Sequence, residues 1–429
     1  MQYLALYATV LILLWVLYLR RQKRIQREHA QLLQQSVEAG LVEPPSLHPV
    51  IDPLRCLGSS SCVTACPEGA LGIVDGKAVL TNAAACIGHG ACHAACPFDA
   101  IQLVFGTEKR GIDIPDLTPQ FESNVRGLFI AGELGGMGLI RKAAEQGRQA
   151  VEVIRKRSGG DHDFDVVIVG SGPAGLSAGL SAIEHKLRYK LIEQESSLGG
   201  SVFHYPRNKV AMTAPVTLAI VGKVRFGEVQ KEKLLEFWDK VVDRTDLQIA
   251  FRECMEGIDR EGDGFVVRTD RGQYRTRSVL LALGRRGSPR KLDVPGEESP
   301  KVVYRLVDPS QYDGQAILVV GGGDSALEAA VALSEQPGTE VTLSYRSAAF
   351  SRVKQKNRSA LEQAQRAGRV RVELESTVQS IEADAVNLLT KSRLERLRND
   401  AVIVCAGGLL PTPLLQKIGI DFETKHGTA

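Results

Sequence analysis

The first pattern along the chain is an apolar run at its N-terminal end. Residues 3–19 carry no charge, and Arg20, Arg21, Lys23 and Arg24 follow at once. Seventeen helical residues extend about 26 Å, close to the roughly 30 Å of a membrane's hydrocarbon core. Basic residues favour the cytoplasmic side of a membrane. The pattern predicts a single transmembrane helix in the inner (cytoplasmic) membrane, with the bulk of the protein in the cytoplasm. A buried core helix is the alternative.

Two later patterns are typical of parallel sheets covered by helices. Residues 166–169 are a short apolar run of the kind that forms a buried parallel strand, and glycines and a helical segment follow it. Residues 316–320 begin a second unit of the same kind. A further strand then ends at Glu193 in the first unit and before Arg346 in the second. These units predict two Rossmann-like domains and an α/β fold class.

The first glycine loop predicts a dinucleotide site. The first glycine permits a tight turn, the second lets the backbone approach a pyrophosphate, and the third lets the helix pack on the strand. The helix N-terminus then faces the phosphates. Glu193 is placed to accept a hydrogen bond from a ribose hydroxyl. The candidate binding residues of the loop are Gly170, Ser171, Gly172, Pro173, Ala174 and Gly175.

The second glycine loop has the G-x-G-x-x-A form but carries a different charge. Arg346 stands where the first unit has its acid, and Arg352 is near in sequence. A cation there suits a 2′-phosphate, so NADPH is favoured over NADH. The alternative is a solvated arginine and a site that takes either cofactor. The candidate binding residues of this loop are Gly321, Gly323, Asp324 and Ser325.

Length and charge narrow the class of protein. A chain of 429 residues is expected to form two or three domains. The formal net charge is only +3, and the basic residues are spread out apart from those near the N-terminal end. There is no basic patch of the kind that binds nucleic acid, so we expect no nucleic-acid partner.

The cysteines are concentrated in one short block. Six of the eight lie between residues 56 and 96, in two runs that each read C-x5-C-x3-C-P. Bacterial ferredoxins have C-x2-C-x2-C-x3-C-P, so Ser59 and His89 stand where second cysteines would be. The block predicts a small α+β ferredoxin-like domain with two iron–sulfur clusters, either 4Fe–4S or 3Fe–4S. His89 or Ser59 could supply a fourth ligand, and a zinc domain is the alternative.

The resemblance to two-cluster ferredoxins also implies how the cysteines are shared. In those proteins the fourth cysteine of each run binds the other cluster. One cluster would therefore use Cys56, Cys62 and Cys96, and the other Cys86, Cys92 and Cys66.

Residues 163–420 resemble the two-dinucleotide-domain flavoprotein family that includes thioredoxin reductase. The two glycine loops carry the resemblance, together with residues 278–289 and Val294-Pro-Gly-Glu297. It implies FAD at the first loop and the nicotinamide at the second. It also implies that the segment containing Gly200, His204 and Tyr205 lies near the flavin ring. The last two are candidates for gating or proton supply, and simple packing is the alternative.

One part of that family's pattern lies upstream of its usual place. The family's chain returns to the FAD domain after the nicotinamide domain, in a strand that ends in Gly-Asp. Here residues 121–133 and 138–151 resemble that strand and its helix, with Gly132 and Glu133 at the Gly-Asp position. We expect a circular permutation, and a surface insert is the alternative.

The expected domains are 1–40 (membrane anchor and juxtamembrane helix), 41–105 (iron–sulfur), 106–298 (FAD, with 106–158 as return segment), 299–407 (NAD(P)) and 408–429 (return to the FAD domain).

The expected activity is that of an FAD-dependent NAD(P)H oxidoreductase. The chain has no C-x-x-C, so dithiol exchange is not expected. NADPH would exchange electrons with FAD and the clusters, and these with a partner protein or small molecule, in either direction. A homodimer is compatible with this scheme. The alternatives are an electron-input subunit resembling the glutamate synthase small subunit, a low-molecular-weight disulfide reductase and a redox sensor.

Overall fold

The computed structural model describes residues 2–38, 43–44, 47–88, 90–108, 111–136, 138–158, 160–205, 209–213, 215–284, 288–350, 353–391, 393–409 and 411–427. Within these ranges the α-helices are α1 (Gln2–Glu38), α2 (Ser61–Ala65), α3 (Ala91–Ala94), α4 (Ile140–Ile154), α5 (Pro173–Glu184), α6 (Lys231–Thr245), α7 (Asp324–Ser334), α8 (Gln355–Arg366) and α9 (Thr412–Lys417).

The cysteine block folds as two antiparallel strand pairs with two short helices. Its outer pair joins the start of the block to its end, and its inner pair lies between the two cysteine runs. The strands here and just beyond are β1 (His48–Ile51), β2 (Leu71–Val74), β3 (Lys77–Leu80), β4 (Ile101–Val104) and β5 (Ile112–Pro115). β1 pairs with β4 and β2 with β3.

The first glycine unit lies in a seven-stranded sheet. Its strands follow the order β13-β8-β7-β16-β15-β14, and β6 also pairs with β16. The apolar run 166–169 is almost completely buried in β7, as its composition predicts. The strands of this part are β6 (Leu128–Ile130), β7 (Phe164–Val169), β8 (Tyr189–Glu193), β9 (Val210–Met212), β10 (Val216–Leu218), β11 (Gly222–Val224), β12 (Glu228–Gln230), β13 (Ala250–Phe251), β14 (Met255–Glu261), β15 (Gly264–Thr269) and β16 (Gly272–Leu281).

The second glycine unit lies in a parallel five-stranded sheet of order β18-β25-β19-β20-β21. Helices α7 and α8 pack on it, and a three-stranded antiparallel sheet, β22-β23-β24, stands beside it. The strands are β17 (Ser288–Pro289), β18 (Val302–Val303), β19 (Ala316–Val320), β20 (Glu340–Tyr345), β21 (Val370–Leu374), β22 (Ser376–Ile381), β23 (Ala385–Thr390), β24 (Arg393–Arg398), β25 (Ala401–Val404), β26 (Gly408–Leu409) and β27 (Phe422–Lys425).

β6 and α4 are built into the first sheet and its helical layer. β6 runs parallel to β16, with Leu128 opposite Val279, and α4 packs on α5. A Cβ on Gly147 would overlap the carbonyl oxygen of Ala174, so the two helices approach closely at this glycine. β27 pairs with β5 in antiparallel register, Phe422 opposite Pro115. Residues 422–425 therefore lie against the segment that leads into β6.

The predicted location in the inner membrane is wrong. Among the residues that the structure describes, no helix is long and apolar enough to cross a membrane. A span needs about 20 predominantly apolar residues, and the uncharged run has only seventeen, with Tyr3, Tyr7 and Tyr18 among them. Further along α1, His29 Nδ1 accepts a hydrogen bond from the Ile73 amide at 3.0 Å. This part of α1 packs against the cysteine block.

Candidate functional site

Three glycines of the first loop lie where a side chain would interfere with packing or with a ligand. Gly170 has a left-handed φ of 104°, and a Cβ on it would lie 2.7 Å from the Ala282 carbonyl oxygen. A Cβ on Gly175 would overlap the Gly170 carbonyl oxygen. Gly172 differs, because its φ is −70° and the nearest atom to an added Cβ is 4.0 Å away. Packing against other protein atoms therefore does not explain why residue 172, at the start of α5, is a glycine. The absence of a side chain there fits the close approach of a pyrophosphate.

Glu193 is buried beside this loop and organises it. Its Oε2 accepts hydrogen bonds from the Ser171 amide at 2.7 Å and the Ser171 hydroxyl at 2.9 Å. Its Oε1 accepts from the Glu195 amide at 3.0 Å. A carboxylate has about four acceptor positions, so it can still accept from a ribose hydroxyl. The sequence predicted Glu193 and Ser171 as binding residues but did not predict the contact between them.

Gly132 and Glu133 lie next to the same loop. A Cβ on Gly132, whose φ is 91°, would be 3.3 Å from the Ala174 Cβ. The Gly132 amide donates a hydrogen bond to Gln146 Oε1 at 2.8 Å, which ties the turn to α4. Glu133 begins a 3-10 turn, Glu133–Gly135. Gln146 is a residue that the sequence analysis missed, because the contact joins a helix to a strand end.

One flavin-side candidate, His204, makes a charged contact with the part of the chain that contains the second glycine loop. His204 contacts the Arg305 guanidinium, and its Nε2 lies 3.6 Å from Glu195 Oε1. The Tyr205 carbonyl accepts a hydrogen bond from Lys231 Nζ at 2.6 Å, and burial lowers the pKa of that lysine. Gly200 packs on the first loop, since its added Cβ would lie 3.1 Å from the Gly172 Cα. The proximity of His204 and Tyr205 to a flavin ring stays a prediction.

The second loop also requires glycine at its turn, and Asp324 of this loop makes hydrogen bonds that position the neighbouring helix. Gly321 has φ 146°, and an added Cβ would overlap the Cys405 carbonyl oxygen. Asp324 Oδ1 accepts from the Lys354 amide at 2.9 Å and from Asn357 Nδ2 at 2.7 Å, and so holds the start of α8 near the loop. Gly323 and Ser325 are exposed beside it.

Arg346 lies at the carboxyl end of β20, next to this loop. Ser344 is opposite Val320 in the parallel register, so Arg346 lies just beyond the strand ends where the loop turns. Its side chain is exposed. This position suits a cation that receives the adenosine end of a dinucleotide. Arg352 lies outside the described residues.

The six cysteines of the block line two separate cavities in groups of three. Cys56, Cys62 and Cys96 line the first cavity. Cys66, Cys86 and Cys92 line the second. All six are free thiols, and the grouping across the two runs is the one that the ferredoxin resemblance implies. Three converging thiols in each cavity fit an iron–sulfur cluster.

The surroundings of the thiols also fit a cluster. Burial raises the pKa of the Cys62, Cys86 and Cys92 thiols, and neighbouring cysteines raise it further, so these thiols ionise less readily unless a metal cation binds among them. The Ala78 amide donates to Cys56 Sγ at 3.3 Å and the Ala100 amide to Cys96 Sγ at 3.4 Å. Thiolates bound to iron are stabilised by such donors.

The fourth positions differ between the two cavities. Ser59 lines the first cavity and is exposed, and Ser61 donates a hydrogen bond to its hydroxyl. His89 lies outside the described residues. No sequence pattern indicated Glu68, which lines the second cavity and has a buried Oε1 without a hydrogen-bond partner in the described part of the chain. Its carboxylate is a further oxygen donor beside Cys86.

Comparison with known proteins identifies the family. A family described as "Pyridine nucleotide-disulphide oxidoreductase" matches residues 167–428, and one described as "4Fe-4S dicluster domain" matches residues 48–97. The first match covers more than half of the chain. The chain therefore belongs to the pyridine nucleotide-disulphide oxidoreductase family, and it carries a 4Fe–4S dicluster domain. The predicted class of enzyme is confirmed.

Individual relatives cover different shares of the chain. A ferredoxin–NADP reductase of Levilactobacillus brevis is 32% identical over 191 residues, which are 44% of this chain and 55% of that protein. This chain thus spans about half of that relative's length. The bacilliredoxin reductase Bdr of Bacillus subtilis is 27% identical over 268 residues, 61% of this chain and 82% of that protein. The solved Bdr from Staphylococcus aureus has a TM-score of 0.53 at 23% identity, over 60% of this chain and 80% of that one, which shows the fold alone.

Proposed function

We propose that this protein is an NADPH-dependent flavoprotein that exchanges electrons, through its 4Fe–4S domain, with a partner redox protein. The observation that carries the proposal is the direct packing of the cysteine block on the flavoprotein half. The Phe105 ring lies against Gly136 of the turn beside the first loop. The Phe105 carbonyl accepts a hydrogen bond from the Gly427 amide at 2.8 Å. Direct packing of this kind suits electron transfer between cofactors bound in the two parts.

The chemistry belongs to the cofactors, and the chain holds them in place. NADPH supplies a hydride, a bound flavin takes up both of its electrons and can release them singly, and iron–sulfur clusters carry one at a time. One NADPH thus yields NADP⁺, a proton and two one-electron reductions of the partner. The first loop and Glu193 would hold FAD, the second loop and Arg346 would hold NADPH, and the six cysteines would hold the clusters.

Anaerobic titration with NADPH tests the proposal. We expect the flavin absorbance to bleach and the EPR signals of reduced clusters to appear together, with iron present in the purified protein. Dithionite reduction of the same sample gives the EPR signal of fully reduced clusters, against which the NADPH signal is compared. Clusters that dithionite reduces but NADPH leaves oxidised would refute the proposed path.

Replacement of Arg346 is expected to weaken the binding of NADPH more than the binding of NADH. A hydrogen-bonded charge pair contributes about 1.5–3 kcal/mol, so Arg346→Ala should raise the KM for NADPH roughly tenfold or more and leave that for NADH nearly unchanged. Arg366→Ala, at an exposed arginine of α8, is the control. Steady-state flavin reduction with both nucleotides measures the effect. Equal changes in the KM for NADPH and for NADH would show that Arg346 does not bind the 2′-phosphate.

We propose the domain division given above, without its membrane anchor, and a circular permutation as its origin. Support comes from β6 in parallel register with β16, α4 packed on α5, and β27 paired with β5. In this interpretation residues 106–158 complete the FAD domain. The homodimer stays a prediction.

Reduction of a disulfide is the second candidate function. The similarity over 82% of the bacilliredoxin reductase Bdr favours it, although this chain has no C-x-x-C. Consumption of NADPH with a low-molecular-weight disulfide, undiminished in a cluster-free preparation, would support this candidate over electron transfer through the clusters.

A further inference from the structure

The two cysteine cavities lie at opposite ends of one strand pair. β1 and β4 are antiparallel, with His48 opposite Val104 and Ile51 opposite Ile101. Pro49 and Leu103, which pair with each other, line the cavity of Cys66, Cys86 and Cys92. Ile51 and Ile101 line the cavity of Cys56, Cys62 and Cys96. The direction of this pair therefore orders the two cavities in space.

The Val104 end of the pair leads into the flavoprotein half. Phe105 follows two residues after Leu103, so on extended backbone both side chains lie on one face. A Cβ on Gly136 would lie only 2.8 Å from the Phe105 ring, so ring and turn are in contact. The other side of that turn is Gly132, which lies beside Ala174 of the first glycine loop. The backbone from Leu103 to Phe105, the contact of Phe105 with Gly136 and the contact of Gly132 with Ala174 thus join the Cys66 cavity to the first glycine loop.

The opposite end of the pair is exposed. Leu57 and Phe98 line the Cys56 cavity, and their exposed fractions are 67% and 41%. Leu54, close by in sequence, is 90% exposed. The first cavity is therefore covered by side chains that contact solvent, and the second by side chains that lead to the flavin-side turn.

We propose that the Cys66–Cys86–Cys92 cavity is the flavin-side electron station and the Cys56–Cys62–Cys96 cavity the outward one. This order rests on the proposed function. The two electrons of one hydride would leave a flavin held at the first glycine loop singly, and the one proton of that hydride would pass to solvent. Each electron passes to the Cys66 cavity, then to the Cys56 cavity, and then to a one-electron acceptor protein. Two such transfers regenerate the oxidised enzyme.

Matched cysteine variants test the order. Cys56→Ser and Cys86→Ser each remove the first thiol of one run and so disable one cavity. In Cys56→Ser we expect NADPH to give the EPR signal of the remaining cluster, as dithionite does. In Cys86→Ser we expect dithionite to give a signal and NADPH to give little. Flavin content measured in both variants checks the fold.

The opposite result, or full NADPH reduction in both variants, would overturn the order. Absence of NADPH-dependent cluster reduction in the wild-type protein would instead refute the proposed function, so the two failures are distinguishable. Phe105→Ala keeps all six thiols and provides the second test. It should slow the reduction of both clusters by NADPH while dithionite reduction is unchanged. Leu54→Ala, at the outward end, should leave the rate as in wild type. Equal rates in the two variants would also contradict the order.

Discussion

Gly172→Ala is expected to yield a folded protein that has lost most of its FAD. The backbone of Gly172 is ordinary, and a methyl group there meets no protein atom closer than 4.0 Å. The methyl group would instead occupy the approach of the pyrophosphate to the start of α5. Crowding of this kind costs about 1–3 kcal/mol, which lowers the affinity for FAD roughly 5- to 150-fold. Flavin absorbance per polypeptide, together with circular dichroism, measures the outcome.

Alanine variants of two other glycines serve as controls that distinguish a loss of FAD binding from a loss of folding. Gly227→Ala places a methyl group in open space and should keep both the fold and the flavin. Gly175→Ala should lose both, because its Cβ would overlap the Gly170 carbonyl oxygen. Full flavin retention in Gly172→Ala would show that the pyrophosphate does not approach this residue.

Gly147→Val is expected to destabilise the flavoprotein half strongly. The added side chain would overlap the backbone of Ala174, which cannot turn aside as a side chain can. Overpacking costs 1–3 kcal/mol or more, and a clash with backbone belongs to the upper end, about 3 kcal/mol. For a domain of this size that corresponds to a fall in Tm of roughly 6–12 °C. Thermal unfolding followed by flavin fluorescence measures the change.

Gln149→Val is the matched control for this prediction. It puts the same β-branched residue in α4 at an exposed position, so it should change Tm by no more than about 1–2 °C. If both variants unfolded at the wild-type temperature, α4 would not be an integral part of the flavoprotein core. The proposal that residues 106–158 complete the FAD domain would then fail.

Local spacing predicted the parts of the fold that depend on local physics. The glycines at 170, 172 and 175 stand at the separations that a strand–turn–helix unit requires, so a short window was enough to find it. The apolar run at 166–169 is buried for the same reason. The run at residues 3–19 shows the limit of this approach, because apolarity without sufficient length predicted a membrane helix wrongly.

Contacts between distant segments could not be predicted from spacing. Gln146 supports Gly132 across a turn and half a helix, and Arg305 meets His204 from the other nucleotide-binding half. Glu68 lines the second cavity beside Cys86, although the two are eighteen residues apart in sequence. The sharing of cysteines between the two runs came from a family resemblance, since either run alone also suits a single site.

The pairing of β27 with β5 has a consequence for how the protein matures. The strands of the cysteine block and of the seven-stranded sheet are all encoded before residue 282, whereas β27 is made more than a hundred residues later. During synthesis the strands of both regions therefore leave the ribosome before β27, and before Leu415 and Ile420, which complete the core of the seven-stranded sheet. Residues 422–427 then pair with β5 and donate a hydrogen bond to the Phe105 carbonyl, so the contact between the cysteine block and the flavoprotein half is completed last.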